Sequence, residues 1–566
     1  MKEYLVTAEE MKRYDANTMR EFHMPGLVLM ERAALCTVEE LQRVCGKKPC
    51  RVLVAAGSGN NGGDGLAVGR LLMLKGYEVT FVMPGEGGYE RCTEETRRQI
   101  DILRGYGARI FSRMGEGEYD IVVDALFGVG LSRDVEGIWR EAVEWIDRSD
   151  AFVCSVDIPS GLDADTGRIL GCAVKASLTV TYGFRKVGQI LYPGAVYCGQ
   201  LVCRQMGIEE RSFLQEAPVW YTYGREAGGL LPLRPADGNK GTFGKVLVIA
   251  GCAQIGGAAM MAAGSVFRAG AGMVKVVTAA QNRTPLLQFV PEAMLLTYTG
   301  EESARERAGF DAALAEAGKW ADCILIGPGI GMDDMAYRLL RSVVLHSDLP
   351  LVIDADGINH LAGDDGLQKA LGAQGSQGRT VIITPHPGEF ARLYGCNVGD
   401  VRAHLLQYPG RLADRLSCVV VCKDARCVVV RPGGGQGYLN TTGNCGMAVA
   451  GSGDVLAGMI AGLLAQGMDG MAAAVAGVYL HGYAGDLAAK RRTQMSMTAT
   501  DLMDCIPAAV MRIQGRDDKR SAAAWMQGRD DKRSAAAWTQ GRDDKQSAAA
   551  RIQDRDGKQS AEVERC

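Results

Sequence analysis

Histidine is scarce in this chain, with six in 566 residues, and none stands at zinc-ligand spacing from a cysteine. A zinc site is therefore not expected. The seventeen cysteines include no Cys-x-x-Cys pair, and Cys418 and Cys422 bracket a valine run that reads as a buried strand. Reduced core thiols are expected, not a disulfide frame. No apolar stretch is long and uninterrupted enough to span a bilayer, and the opening MKEYLVTAEEMKRYDANTM has no apolar core of signal-peptide length. A soluble cytoplasmic protein without membrane partners is the expectation. An excess of one charge is missing too: the formal net charge of −3 provides no basic field to gather nucleic acid. Neither a G-x-x-x-x-G-K-S/T loop nor the HRD and DFG pair occurs, which disfavours P-loop and protein-kinase phosphotransfer.

Two loops of small residues stand out instead, each between an apolar run and a helical pattern: GSGNNGGDG (57–65) and AGSGDVLAG (450–458). Such loops let backbone N–H groups approach a phosphate, and the following helix adds its positive end. Two nucleotide-like ligands and two activities are expected. The chain is too long for one core and fits two domains with an appendage. From Arg51, strand (RVLVAA), loop, helix (LAVGRLLMLKG) and strand (EVTFVM) make a βαβ unit, and apolar runs at IVVDALFG and AFVCSVDIPSG extend a parallel sheet. This open-sheet, Rossmann-like α/β domain is placed at 1–216. An irregular stretch after Glu209, with Pro218, Pro232 and Pro235, is read as the connection. A second α/β series runs from KVLVIAG through VKVVT, CILIGPGIG, LVIDADG, VIITPHPGEF and VVVCKDARCVVV into a Gly/Ala-rich helical region, and its domain is placed at 220–511.

The tail, 512–566, holds four copies of a 13-residue unit that begins as RIQGRDDKRSAAA. Thirteen residues advance a helix by about 220° beyond whole turns, so no apolar stripe forms, and a glycine in each unit weakens a helix further. Disorder is expected there, with a docking tail as the alternative.

GSGNNG satisfies the dinucleotide pattern G-x-G-x-x-G, a weak signal alone. Asn60, Asn61 and Asp64 in the loop, with Asp124 and Asp157 each closing a later strand, could converge at the ligand-facing ends of a parallel sheet. Asn61, Asp124 and Ser160 offer only oxygen, which suits a hard cation such as K+. The bland alternatives are that Asp124 caps the next segment and Asp157 fixes the turn before Pro159. MPGLVLMERAAL, GSGNNGGDGLAVGRLL, VVDALFGVGL, VDIPSGLDADTG and TYGFRKVG, in this order, resemble the YjeF N-terminal family of NAD(P)H-hydrate epimerases. The resemblance implies that Asn60, Asn61, Gly62, Gly63 and Asp64, with Gly128, Val129, Gly130, Leu131, Ser132, Arg133 and Asp134, contact hydrated NAD(P)H. It also implies that Asn61, Asp124 and Ser160 hold K+ and that Asp157 serves the chemistry. One carboxylate can move a proton on and off the hydroxyl of a hemiaminal-like carbon. Lys186 would lend positive charge, or be a solvated or phosphate-binding lysine.

In the second loop Gly451, Ser452 and Gly453 precede a small-residue helix with Asp454 in its first turn. Backbone N–H groups there suit a transferring phosphoryl group, and Asp454 suits activation of a hydroxyl. The bland reading is an N-capped helix packed closely through glycine. KGTFGKVLVIAG, GGAAMMAAGSVFRAGAGMVKV, IGPGIG, TPHPGEFARLYG and GNCGMAVAGSGDVLAG resemble the YjeF C-terminal family, nucleotide-dependent NAD(P)H-hydrate dehydratases of ribokinase-like fold. That resemblance implies that Ala258, Gly329, His386 and Asp454 line the hydrate site. It implies further that Lys423, Asp424, Ala425, Arg426 and Cys427 with Gly453 hold an adenine nucleotide, ADP being the expected donor, with Mg2+ bridging the phosphates. The family tends to Lys-Gly-Ala-x-Thr where this chain has Lys423 to Cys427, and Asp424 there adds repulsion toward phosphates.

The expected function is bifunctional repair: epimerisation of R and S NADHX and NADPHX, and dehydration of the S form to NAD(P)H at the expense of ADP. A homo-oligomer is expected. The rivals are a vitamin-precursor kinase of ribokinase-like fold joined to a nucleotide-binding domain, and a non-catalytic NAD(P)-binding module.

Overall fold

RVLVAA folds as expected into the strand Arg51–Ala56, and Val52 to Ala56 have no exposed surface. Such burial marks a strand covered on both faces. In the computed structural model, which describes residues 2–85, 89–224, 227–300 and 303–515, this strand starts a seven-stranded, wholly parallel sheet. The spatial order is Ile110–Phe111, Glu78–Val82, Arg51–Ala56, Ile121–Ala125, Phe152–Val156, Leu178–Tyr182, Gln200–Arg204. The chain begins in the middle, winds one way and then returns to wind the other. The reversal lies between Arg51–Ala56 and Ile121–Ala125, and a parallel sheet binds its ligand in the crevice at such a point.

A second sheet repeats this winding. Its parallel part runs Met294–Tyr298, Met273–Ala279, Lys245–Ile249, Cys323–Ile326, Leu351–Ile353, Val381–Ile383, Val419–Cys422, with the reversal between Lys245–Ile249 and Cys323–Ile326. Antiparallel strands Val428–Val430 and Gly437–Leu439 follow. The sheet then continues through Trp220–Tyr223, Lys2–Val6 and Arg185–Lys186 to reach twelve strands.

That extension corrects the reading of the residues after Glu209 as a plain connection. Phe213, in the short turn Glu210–Phe213, packs on Tyr14 and Phe184 at centroid distances of 4.6 and 5.0 Å. Trp220–Tyr223 is an interior strand, parallel to Gly437–Leu439 and antiparallel to Lys2–Val6. Trp220 is 6% exposed, and a Cβ on Gly437 would lie 2.3 Å from its ring. The segment placed at 1–216 therefore supplies two strands to the sheet of the following segment.

The helix after the first glycine loop also starts earlier than LAVGRLLMLKG suggests. Asn60–Leu74 is helical, so Asn60 to Asp64 form its first turns. Close backbone contact explains the glycines. A Cβ on Gly57 would lie 1.9 Å from the Leu126 carbonyl oxygen, and one on Gly62 1.9 Å from the Gly57 carbonyl oxygen. Cys418 and Cys422 are buried as the valine run implies, but Cys45, Cys203 and Cys445 are exposed, since they lie at a helix end, on an edge strand and in a short turn. No helix among the described residues is long and apolar enough to cross a membrane. Most of the tandem repeat, 516–566, lies outside the described residues.

Candidate functional sites

At the first reversal point a cavity of about 830 Å³ opens. Asn60, Asn61, Asp64, Gly128, Val129, Gly130, Leu131, Ser132, Arg133, Asp157 and Lys186 line it, as the sequence reading expects. Gly62 and Gly63 are buried in the helical turn and do not line it, and Asp134 is exposed away from it. Lys12 and Arg91 line it besides Arg133 and Lys186, giving four cations. Asp15 and Tyr182 complete the polar wall.

Asp157 is held from every side. Its φ of 63° is unusual for a residue with a side chain. The backbone N–H donates to the Val180 carbonyl at 2.8 Å, and its own carbonyl accepts from Gln189 Nε2 at 2.6 Å. Oδ1 accepts from Thr181 Oγ1 at 2.9 Å, from the Tyr182 N–H at 3.3 Å and from the Lys186 ammonium. Lys186 has no exposed surface, so the reading of it as a solvated lysine is corrected: a buried ammonium needs its anion beside it. Thr181, Gln189 and Asp15 were not legible as site residues, because no motif marks them.

Asn61, Asp124 and Ser160 meet around the turn at Phe127. Asn61 Nδ2 donates to the Phe127 carbonyl at 3.0 Å, and Ser160 Oγ accepts from the Phe127 N–H at 2.9 Å. Asp124, wholly buried, accepts from the Ser155 hydroxyl at 2.7 Å and from the Ser160 N–H and hydroxyl at 2.9 and 2.5 Å. Burial pushes its carboxyl upward, and the Ser160 hydrogen bonds oppose that.

The second reversal point brings Ala258 against Gly329, whose φ is +57°; a Cβ there would lie 2.8 Å from that of Ala258. Helix Ser452–Leu464 presents its N-terminal turn nearby, capped by Gly451 at φ 89° and carrying Asp454 in the first turn. A Cβ on Gly458 would lie 2.0 Å from Ser265 Oγ, so small residues draw this helix onto the one at Gly256–Arg268. Burial, then the charge of Asp354, pushes Asp454 up to about 7. A base of that kind is poised at neutrality.

Beneath it lies a network that sequence reading missed. Lys423 Nζ donates to Asp354 Oδ1 at 2.6 Å and lies 4.0 Å from Glu389 Oε2; Thr384 Oγ1 also donates to Asp354 Oδ1 at 2.6 Å. Asp354 Oδ2 is buried with no partner. The available signal was the one that marked Asp124 and Asp157, an aspartate closing a strand, here in LVIDADG. Ala355 follows at φ 48°, a second strained residue at a second site.

His386 is the N-cap of helix Pro387–Tyr394: Nδ1 accepts from the Gly388 N–H at 3.0 Å, and Nε2 lies 3.2 Å from Glu389 Oε1. It is half-exposed, and through Glu389 it adjoins Lys423. The five residues Lys423 to Cys427 do not converge. Lys423 turns inward, Asp424 pairs with Arg402 at 3.4 Å, Ala425 is exposed and Cys427 is buried. Arg426 points toward the other half of the chain: its Nε donates to the Ile190 carbonyl at 2.9 Å, and its guanidinium lies 5.0 Å from the centre of the Tyr192 ring. The five diverge because they alternate about a turn between two strands. Of the set expected to hold the nucleotide, Lys423 and Gly453 come together, a Cβ on Gly453 lying 3.3 Å from Lys423 Nζ.

Residues 26–188 match the family model described as YjeF-related protein N-terminus, and residues 246–508 the one described as NAD(P)H-hydrate dehydratase. The chain is 35% identical over 531 residues to the bifunctional NAD(P)H-hydrate repair enzyme Nnr of Moorella thermoacetica, covering 90% of this chain and 97% of that one. It is 34% identical over 517 residues to the protein of the same name from Thermofilum pendens, covering 89% and 96%. A solved ADP/ATP-dependent NAD(P)H-hydrate dehydratase from Bacillus subtilis, co-crystallised with ATP and Mg2+, is 30% identical over 50% of this chain and 94% of that one, with a TM-score of 0.41.

Proposed function

The chain belongs to the bifunctional NAD(P)H-hydrate repair enzymes, and from that premise we propose which crevice performs which reaction. The protein is an NAD(P)H-hydrate epimerase and dehydratase in one chain. The single observation that carries the assignment is that each family match has its own sheet reversal with an aspartate at a strand end there, Asp157 paired with Lys186 and Asp354 paired with Lys423.

The first cavity takes the hydrate for epimerisation. Lys12, Arg91 and Arg133 meet the phosphates, and Asp157 faces the reacting ring. Asp157, ion-paired with Lys186 and clamped at its backbone, accepts the proton of the C6 hydroxyl and returns it when the ring recloses. The oxygens of Asn61, Asp124, Ser160 and Phe127 form a set with one formal negative charge, buried at Asp124 and Ser160, which fits K+. Bound there, K+ would offset the Asp124 charge and brace the turn that forms the cavity wall.

The second crevice takes the S hydrate and an adenine nucleotide, ADP. The Asp454 carboxylate draws the proton from the hydroxyl, and N–H groups of the helix turn at Ser452 and Gly453 stabilise the phosphoryl oxygens as that hydroxyl becomes a leaving group. Phosphate then departs, the ring nitrogen lone pair assisting. Asp354, with one buried oxygen unpartnered, fits a divalent cation and would hold Mg2+, which when bound neutralises phosphate charge.

The test is absorbance at 340 nm on mixed NADHX epimers with Mg2+ and K+, in separate runs with ADP, ATP and no nucleotide. Recovery with ADP, extending to both epimers, is the expected result. Phosphorylated product that accumulates without the 340 nm chromophore would instead favour a small-molecule kinase.

A further inference from the structure

Opening the hydrated ring needs two proton transfers, and reclosing it reverses both. As the C6–N1 bond breaks, the hydroxyl loses a proton while its oxygen becomes a carbonyl, and N1 keeps the bond pair and must gain a proton. Asp157 answers the first need only: its Oδ1 carries the Lys186 ammonium, a Thr181 hydroxyl and a backbone N–H. A carboxylate so occupied is a base.

The same cavity is also lined by Asp64, in the first turns of helix Asn60–Leu74. Among the described residues no hydrogen-bond donor is set against its carboxyl. Its charged surroundings are the carboxylates of Asp157 and Asp15, partly offset by Lys186, with the phenol of Tyr182 also near. Its side chain is only partly exposed, on the cavity wall. Burial, followed by repulsion from Asp157 and Asp15, pushes its carboxyl well above the usual range. A carboxyl without a donor beside an ion-paired carboxylate offers an acid and a base in one cavity.

Resting on the assignment of this cavity to epimerisation, we propose that Asp64 is a catalytic residue, a neutral carboxylic acid that protonates N1 while Asp157 takes the hydroxyl proton. The open-chain aldehyde rotates about C5–C6. Reclosure runs the steps backward: N1 attacks the carbonyl and its proton returns to Asp64, while the oxygen recovers the proton held by Asp157. Both groups end as they began, and no co-reactant is needed.

The experiment measures R–S exchange of NADHX by chromatography without nucleotide, in the full chain, with 340 nm dehydratase activity as a check on folding. Asp64→Asn is expected to lose about a hundredfold to ten-thousandfold in exchange and to keep dehydratase activity. Wild-type exchange should fall as pH rises through the Asp64 titration, because only the neutral form donates, and Asp64→Glu should restore part of the rate with its alkaline limb displaced. Exchange in Asp64→Asn within tenfold of wild type overturns the proposal. If Asp64→Asn does not fold, the wild-type profile and Asp64→Glu decide, and a profile without an alkaline limb that Asp64→Glu displaces overturns it. Undiminished exchange in Asp157→Asn would be a different failure, that of the cavity assignment itself.

Discussion

The contact between Trp220 and Gly437 joins the strand after the first α/β segment to the sheet of the second, and its geometry allows a quantitative prediction. Trp220 is 6% exposed, so Trp220→Ala removes a buried indole and leaves a cavity. Changes of that kind cost about 3–5 kcal/mol. Gly437→Ala works in the opposite sense: its new Cβ would stand 2.3 Å from the Trp220 ring, which must move. Overpacking costs about 1–3 kcal/mol, and so close an approach belongs at the upper end. In the double variant the methyl group enters space that the indole has vacated, so the second substitution should add nothing. The combined loss should match that of Trp220→Ala alone, a coupling of about −1 to −3 kcal/mol. Denaturant unfolding of the four proteins measures it, with both activities assayed at 25 °C to confirm that each native state is intact. Losses that simply add would refute the reasoning, because the two residues would then not share one contact.

Asp157→Asn should leave the R epimer unrepaired beyond slow spontaneous exchange while S is consumed, whereas Asp454→Asn should abolish nucleotide-driven recovery and keep exchange; equal loss of both activities in either variant sinks the two-site assignment. With Asp454 pushed up to about 7 and active as the carboxylate, dehydratase kcat/KM should rise with pH through neutrality; it should be about tenfold lower at pH 6 than on the plateau, and a flat profile from pH 6 to 8 would contradict this. Asp124→Asn keeps most of the local hydrogen bonds but removes the charge, so activation of exchange by K+ over tetramethylammonium should vanish while the dehydratase is unaffected. Burial pushes His481 down to about 4 from 6.5. The unfolded chain therefore takes up its proton first, and stability should fall as pH drops from 6.5 towards 4; His481→Gln should flatten that slope in denaturant titrations.

The seven-stranded sheet and the parallel part of the second were legible because strands buried on two faces leave uninterrupted valine and isoleucine runs. Asp124 and Asp157 were legible from their place at strand ends. Asp354 obeys the same rule but escaped notice, since LVIDADG reads first as a strand. The early helix start at Asn60 was hidden because glycine and asparagine are poor helix formers, and here close backbone packing overrides that preference. The twelve-stranded sheet could not be read, because KEYLV and WYTY are short and their partners lie far away in sequence. The direction of Arg426 was equally hidden, since it is set by a carbonyl at Ile190.

Lys2–Val6 is bonded on one side to Arg185–Lys186 and on the other to Trp220–Tyr223. Severing the chain between Lys186 and Trp220 would thus divide one hydrogen-bonded ladder between two fragments. The leading fragment would carry a strand with one side stripped of its ladder, and the trailing fragment would carry Trp220–Tyr223 as an open edge. Bare edges of that kind recruit other chains. Lys186, the partner of Asp157, sits on the last strand of the twelve-stranded sheet, so the wall of the first cavity and the second sheet share one piece of backbone.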